Sequence, residues 1–185
     1  QQANAALMSK LDAICVANNI QYWLSYGSLV GTLSRSGFIP WDDDIDICML
    51  RSDVDKLTAA LIDDPEYQIT LVYDWFVKCR QVRFCSTNSL IPCFVDISIY
   101  DRAAENSKRA NDQLRQLRIE LMDFFDKNER EFSFWKDNPW MVHPHSGLSV
   151  QCGDVDLEAQ RTVVSSAEID LVQSVFDSFN ERVLR

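Results

Sequence analysis

The sequence lacks any apolar run as long as the roughly 18 residues that a membrane-spanning helix requires. We therefore expect no membrane span. No signal peptide is visible either, although the sequence begins at Gln1 rather than at Met. These features predict a cytoplasmic protein. The alternative is the lumen of the secretory pathway, if an N-terminal segment has been removed.

Basic residues are scarce as well. The chain carries 18 Lys and Arg against 28 Asp and Glu, which gives a formal net charge of -10. A nucleic-acid-binding surface needs a basic face to neutralise phosphates, so we expect no nucleic-acid partner. An acidic protein can still bind a phosphate group locally, through a metal ion or a small basic cluster.

Paired cysteine motifs are missing too. The six cysteines lie at positions 15, 48, 79, 85, 93 and 152, and no two form a CxxC pair, which argues against a structural zinc site. Several lie in apolar runs, as buried free thiols do, but their even number leaves disulfides open. His143 and His145 form an HxH without further ligands at zinc spacing, and we interpret them as surface or core histidines.

The length and the periodicity predict one α+β domain, with a small mixed sheet and helices packed on one of its faces. A chain of 185 residues can bury a substantial core. Helical spacing of apolar residues, or a capping signal, predicts helices over 3–18, 28–37, 52–62, 105–131 and 165–184. Alternating or β-branched runs predict strands over 20–26, 44–50, 67–73, 75–85 and 93–101, with the third and fourth antiparallel and joined by a turn near residue 74.

The C-terminal third is less regular. Residues 132–164 contain Trp135 and Trp140, both histidines and two prolines, and we interpret this stretch as irregular structure with the tryptophans in the core. We divide the chain into a catalytic core, 1–130, and a helical or irregular extension of the same domain, 131–185.

The run GFIPWDDDIDICM, residues 37–49, places four acids among apolar side chains. In a strand, Asp44 and Asp46 project to one face while the alternating isoleucines project to the other. A solvated loop is the ordinary interpretation of clustered aspartates, but it does not require that alternation. A calcium loop starting at Asp42 is excluded because its sixth and twelfth positions are Ile47 and Asp53 rather than Gly and Glu.

A third acid, Asp96, lies alone in the apolar strand FVDISIY. If that strand lies beside the first, three carboxylates converge. Like charges at such distances destabilise one another unless a cation lies between them, and Mg²⁺ or Mn²⁺ prefers oxygen ligands. We therefore predict a metal site for phosphate chemistry at Asp44, Asp46 and Asp96. Asp96 is predicted to be the third ligand or the base that deprotonates an acceptor hydroxyl. Asp42 and Asp43 are predicted to orient their loop or Arg35, or to support the ligands, without binding metal directly.

Phosphate-binding groups precede the acids in the chain. Gly27 allows a ligand to approach the backbone closely, and Ser28 is predicted to cap a short helix whose N-terminus attracts anions. That helix is predicted to end with Gly37 in a left-handed conformation. Arg35 lies near the end of this helix, where it could brace the acidic loop or contact a donor phosphate.

Basic residues on a later strand complete the predicted site. Lys78 and Arg80 alternate with apolar residues and share one face of their strand, whereas Arg83 projects to the other face. A cation near the metal would neutralise a pyrophosphate, and we favour Lys78 over Arg80 in that role. The alternative is a solvated strand face.

The stretch YWLSYGSLVGTLSRSGFIPWDDDIDICM closely resembles the signature of the LicD family, also called the fukutin-related or phosphorylcholine-transferase family. That family belongs to the nucleotidyltransferase superfamily of the DNA polymerase β type. The superfamily pattern is Gly-Ser, then a strand of alternating Asp and apolar residues, then a third acid on a later strand. The resemblance covers about residues 7–125. The matching positions are Gly27, Ser28, 44–47 and Asp96 for the superfamily, with Gly31, Arg35 and 37–47 for the LicD type.

The resemblance implies a nucleotidyltransferase-like fold and a metal-dependent transferase. Such enzymes move a phospho-alcohol group, such as phosphocholine or ribitol phosphate, from a CDP-linked donor to a carbohydrate acceptor, as in lipopolysaccharide or teichoic acid biosynthesis. Two alternatives stay open. One is a nucleotidyltransferase that transfers the nucleotide and releases pyrophosphate, and the other is a non-catalytic module that binds a glycan or a partner.

Overall fold

A mixed six-stranded β-sheet organises the chain. The computed structural model describes residues 1–42, 44–74, 79–88, 90–102, 107–127 and 161–165. Helices flank the sheet, which confirms the predicted α+β class. In chain order the elements are α1 (Gln2–Ala17), β1 (Trp23–Leu24), α2 (Tyr26–Arg35), β2 (Ile45–Leu50), α3 (Arg51–Ala60), β3 (Tyr67–Asp74), β4 (Cys79–Ser86), β5 (Phe94–Arg102), α4 (Ser107–Lys127) and β6 (Arg161–Val164).

The strand order is β1-β2-β5-β4-β3, and β6 pairs with the C-terminal half of β5. Strands β2 and β5 are parallel, as are β5 and β6, whereas the other pairs are antiparallel. The parallel pairing places Asp46 directly opposite Asp96. Strands β2 and β5 are distant in sequence, but because they are parallel they begin at the same end of the sheet. Each places an acid there.

The main apolar core lies on one face of the sheet. Ile45, Ile47 and Met49 alternate along β2 and are at most 2% exposed. They join one apolar cluster with residues of α1, α3, β4 and β5, including Leu11 and Leu57, which are fully buried. Side chains between these positions project to the opposite face. The same alternation that builds the core therefore turns Asp44 and Asp46 away from it.

An ion pair ties α3 to β5. Arg51 donates from Nε and Nη2 to the two carboxylate oxygens of Asp101, at 2.7 and 2.9 Å. A bidentate pair of this kind fixes the orientation of the two side chains as well as the distance between them. It joins the first residue of α3 to the penultimate residue of β5.

The ends of α2 differ from the prediction. The residue before the helix is Ser25, in an extended conformation, and Ser28 lies inside the first turn rather than capping it. The left-handed residue at the C-terminal end is Ser36, with φ 55°, rather than Gly37. Because the helix ends at Arg35, the left-handed position falls one residue earlier than the glycine. Serine tolerates it at some cost in free energy.

The other helices and strands follow the predicted pattern with shifted bounds. β1 spans only two residues, and β6 is a strand within the stretch that we predicted to be irregular. Its sequence, RTVV, contains three β-branched residues, but four residues are too few for a periodicity to show. The predicted turn near residue 74, Trp135, Trp140, His143, His145 and the final helix over 165–184 lie outside the described residues, apart from Asp74 and Ser165. The division into 1–130 and 131–185 stays a prediction.

Two sequence-based expectations concern membranes and thiols. No helix among the described residues combines the length and the apolarity needed to cross a bilayer. Cys15, Cys48, Cys85 and Cys93 are free thiols. Burial raises the pKa of Cys15 to about 12, so this thiol is inert near neutral pH.

Candidate metal centre

Three carboxylates meet where β2 and β5 begin. Asp44 precedes β2, Asp46 is its second residue, and Asp96 is the third residue of β5. Each of them offers one oxygen to a group whose ligand atoms all lie within 4.8 Å of one another. All three side chains are half-buried. The structure thus brings the three predicted acids together, through the parallel pairing of the two strands.

The electrostatics of this cluster are unfavourable in the absence of a cation. The pKa of Asp46 is raised from 3.8 to about 7, first by burial and then by the negative charges of Asp44, Asp96 and Asp42. The backbone N–H of Gly27 donates to the Asp46 carboxylate and offsets part of this rise. Because the negative charges of these carboxylates repel one another, a bound cation would stabilise the ionised cluster more than it would stabilise an isolated carboxylate.

The donor set fits a hard divalent ion. Mg²⁺ and Mn²⁺ prefer carboxylate oxygens, and the cluster offers three within reach of a single ion. The acids are half-buried, so water can complete the coordination. Asp44, Asp46 and Asp96 are therefore the residues that would hold the metal.

Metal binding should depend on pH, because a proton competes with the metal at Asp46. With a pKa of about 7, Asp46 is ionised in about a tenth of the molecules at pH 6 and in about nine tenths at pH 8. We expect the Mn²⁺ affinity measured by calorimetry to rise about tenfold over this range. The raised pKa also means that the metal-free fold loses stability as pH rises from about 4 through about 7.

The control for this experiment is Asp46→Asn, whose Mn²⁺ affinity should be weaker and should lose this slope. A wild-type affinity that stays constant between pH 6 and pH 8 would contradict the placement of Asp46 among the ligands.

Helix α2 is hydrogen-bonded to β2 at Asp46. The Asp46 N–H donates to Ser28 Oγ at 2.9 Å, and the Ser25 N–H donates to the Asp46 carbonyl oxygen at 3.0 Å. Together with the Gly27 N–H on the carboxylate, these contacts fix both the backbone and the side chain of Asp46. Ser28 therefore positions the strand, and its predicted role in binding phosphate stays a prediction.

Gly27 lies where a side chain does not fit. A Cβ built on this residue would overlap the carboxylate of Asp42. Tyr26, just before it, adopts a left-handed conformation with φ 40°, which costs about 1–3 kcal/mol in a residue other than glycine. Sequence periodicity gave no sign of this strained turn. This turn directs the N–H of Gly27 towards the Asp46 carboxylate.

Of the predicted basic residues, one lies beside the acidic loop. The Arg35 guanidinium is 5.7 Å from the centre of the Trp41 ring, and Trp41 is 78% exposed. Lys78 lies outside the described residues. The backbone of Arg80 belongs to β4, and its side chain lies outside the description. The roles predicted for all three in binding substrate stay predictions.

Among the described side chains, Arg83 is a cation that contacts the acid cluster, and we did not predict it as a site residue. Its Nε donates to Asp96 Oδ1 at 2.6 Å. The alternation in β4 does place Arg83 on the face opposite to Lys78 and Arg80. The alternation does not show which face of β4 lies on the side of the acids. That depends on the register of β4 against β5, in which Arg83 pairs with Asp96.

The chain matches a family model and several curated proteins. Residues 19–150 match the model described as "LicD/FKTN/FKRP, nucleotidyltransferase domain". Lipopolysaccharide cholinephosphotransferase LicD of Haemophilus influenzae is 28% identical over 114 residues, which cover 55% of this chain and 43% of that protein. An uncharacterized protein of Rickettsia prowazekii is 34% identical over 68 residues, which cover 37% of this chain and 26% of that protein. The chain thus spans less than half the length of these relatives.

Proposed function

This chain belongs to the LicD/FKTN/FKRP family of nucleotidyltransferase domains, and we propose that it is the catalytic domain of a metal-dependent phosphotransferase. The observation that carries the proposal is the convergence of Asp44, Asp46 and Asp96 on one face of the sheet. Half-buried, mutually repelling carboxylates destabilise a fold unless they bind a cation, so the presence of all three favours catalysis over a passive binding module.

We further propose the class of substrates. The relative from Haemophilus influenzae is named a lipopolysaccharide cholinephosphotransferase. By analogy, the group transferred here is a phospho-substituted alcohol such as phosphocholine or ribitol phosphate. The donor is a CDP-linked alcohol, the acceptor is a glycan hydroxyl, and the metal is Mg²⁺ or Mn²⁺.

The transfer breaks a phosphoanhydride bond of the donor and forms a phosphate ester with the acceptor. The acceptor oxygen bonds to the phosphorus that carries the alcohol, the bond from that phosphorus to the oxygen bridging it to CMP breaks, and CMP leaves with the electron pair. The hydroxyl proton passes to a base or to water. A bound divalent cation would supply positive charge against the negative charge that develops on the phosphate oxygens.

Residues of the protein would position the metal and the reacting groups. Asp44 and Asp46 would hold the metal, while Ser28 and the backbone of Gly27 keep Asp46 in place. Asp96 was predicted as the third ligand or as the base for the acceptor hydroxyl. Its contact with Arg83 favours the first role, because a guanidinium stabilises a charged carboxylate rather than a protonated one.

The products distinguish the proposed reactions. Incubation with Mg²⁺, a glycan acceptor and either CDP-choline or CDP-ribitol should release CMP and label the glycan. Incubation with CTP should release no pyrophosphate. The matched control is Asp44→Ala, which should lose both the CMP release and most of its Mn²⁺ affinity.

Three outcomes would contradict the proposal. Release of pyrophosphate from CTP would identify a nucleotidyltransferase. Glycan binding without any product would identify a binding module. An unchanged Mn²⁺ affinity in Asp44→Ala would remove this residue from the metal site.

A further inference from the structure

Arg83 is a buried cation whose partner belongs to the acid cluster. It lies in β4 directly opposite Asp96 of β5, so the two side chains share a face of the sheet. Only 4% of the Arg83 side chain and 16% of the Asp96 side chain are exposed. In two other ion pairs, Arg51 and Lys56 keep 38% and 50% of their side chains exposed. Arg83 is therefore far more deeply buried than those cations.

The Arg83 guanidinium contacts Asp96, Gln81 and Phe94. Its Nε donates to Asp96 Oδ1 at 2.6 Å, and its Nη2 donates to Gln81 Oε1 at 3.1 Å. Its central carbon lies 4.1 Å from the centre of the Phe94 ring, in the geometry of a cation–π contact. A buried guanidinium is costly unless its donors are satisfied, and this one is held on both an edge and a face.

We propose that Arg83 is a positioning residue, which orients the Asp96 carboxylate as a metal ligand and offsets part of the like charge at the site. The inference rests on the proposed function, because it requires that Asp44, Asp46 and Asp96 bind a divalent ion. By engaging one oxygen of Asp96, Arg83 fixes the rotation of the carboxylate in the cluster. Its positive charge also reduces the repulsion among three acids whose ligand atoms lie within 4.8 Å.

The arrangement favours arginine over lysine. A guanidinium is planar, so it can lie over Phe94 and donate sideways to Asp96 and Gln81 at the same time. An ammonium group would retain the charge but could not reproduce the planar geometry in which Nε donates to Asp96 while Nη2 donates to Gln81. Arg83→Lys therefore separates the orientation of Asp96 from the neutralisation of its charge.

The test measures Mn²⁺ binding by electron paramagnetic resonance in wild type, Arg83→Met and Arg83→Lys. We expect Arg83→Met to bind about 10–100-fold more weakly, as is typical when the group that orients a ligand is removed. Arg83→Lys should fall between the two. Added guanidinium ion should restore part of the affinity of Arg83→Met and leave wild type unchanged. The control is Arg51→Met, which breaks an ion pair with Asp101 and should bind Mn²⁺ as wild type does.

A second variant separates positioning from general packing. In an Asp96→Asn background, Arg83→Met should cause no further loss of Mn²⁺ affinity, because the ligand that Arg83 orients is already missing. A purely structural Arg83 predicts the same additional loss in both backgrounds, together with a lower melting temperature in EDTA.

The possible failures are distinguishable. If wild type binds no Mn²⁺, the proposed function is wrong and the inference falls with it. If Asp96→Asn weakens binding while Arg83→Met binds as wild type does, the metal site stands and the positioning role is wrong. If Arg83→Met does not fold, Arg83→Lys decides the question, and wild-type affinity in that variant would overturn the inference.

Discussion

Asp46→Asn is expected to lose nearly all metal-dependent turnover. Asparagine has the same shape, so the Asp46 backbone keeps both hydrogen bonds, the one donated to Ser28 Oγ and the one accepted from the Ser25 N–H, and the fold is retained. What is removed is the central charge of the cluster. A metal contributes several kcal/mol of charge stabilisation in the transition state, and its loss corresponds to a factor of about a thousand or more in rate. Single-turnover release of CMP at saturating Mg²⁺ measures this change.

The matched control is Asp43→Asn, which removes the same charge at a residue outside the described part of the chain. The strand alternation predicts that Asp43 supports the loop without binding metal, so its loss should be about 10–100-fold. Both variants lower the local negative charge equally. Equal losses would contradict the strand register from which the ligands were assigned.

Gly31→Ala should give the second large effect, on both stability and turnover. A Cβ on Gly31 would lie 2.5 Å from the carbonyl oxygen of Gly37 and 3.0 Å from the N of Ile39. Both are backbone atoms, which cannot rotate aside, so α2 or the loop that leads to Asp44 must shift. Overpacking of this kind costs about 1–3 kcal/mol, which outweighs the gain of about 1 kcal/mol from replacing glycine in a helix.

The melting temperature measured by differential scanning calorimetry should fall by up to about 8 °C in Gly31→Ala. A displacement of about 1 Å at the metal site should also cost about a hundredfold in turnover. Gly37→Ala is the control, because a Cβ on Gly37 meets no atom within 4 Å. A melting temperature for Gly31→Ala equal to that of Gly37→Ala would show that the loop does not pack tightly against α2.

The predictable parts of this molecule are those that a local pattern encodes. The Asp-Ile alternation assigns Ile45 and Ile47 to the core and Asp44 and Asp46 to the opposite face, and the burial of both isoleucines confirms that half of the prediction. The same reasoning found Asp96 as an isolated acid in an apolar strand. Its proximity to Asp46 was conditional on the two strands being neighbours, which the structure shows them to be.

The features that escaped prediction depend on contacts between distant segments. Arg83 became a site residue because β4 pairs with β5 in a register that no residue of β4 encodes by itself. The strained turn at Tyr26 exists because the N–H of Gly27 contacts the carboxylate of Asp46, 19 residues further along the chain. β6 is defined by hydrogen bonds to β5, about 60 residues earlier in the chain, rather than by its own short sequence.

The parallel pairing of β2 with β5 also has a consequence for the order of folding. Asp44 and Asp46 are synthesised some 50 residues before Asp96, so a nascent chain can form the β1–β2 contact long before β5 exists. Contacts of such sequence separation form slowly, and the edge of β2 that pairs with β5 stays without its partner strand meanwhile. The repulsion among the three acids arises only when β5 docks. A divalent cation present at that moment should therefore accelerate the docking of β5 against β2 as well as stabilise the paired strands.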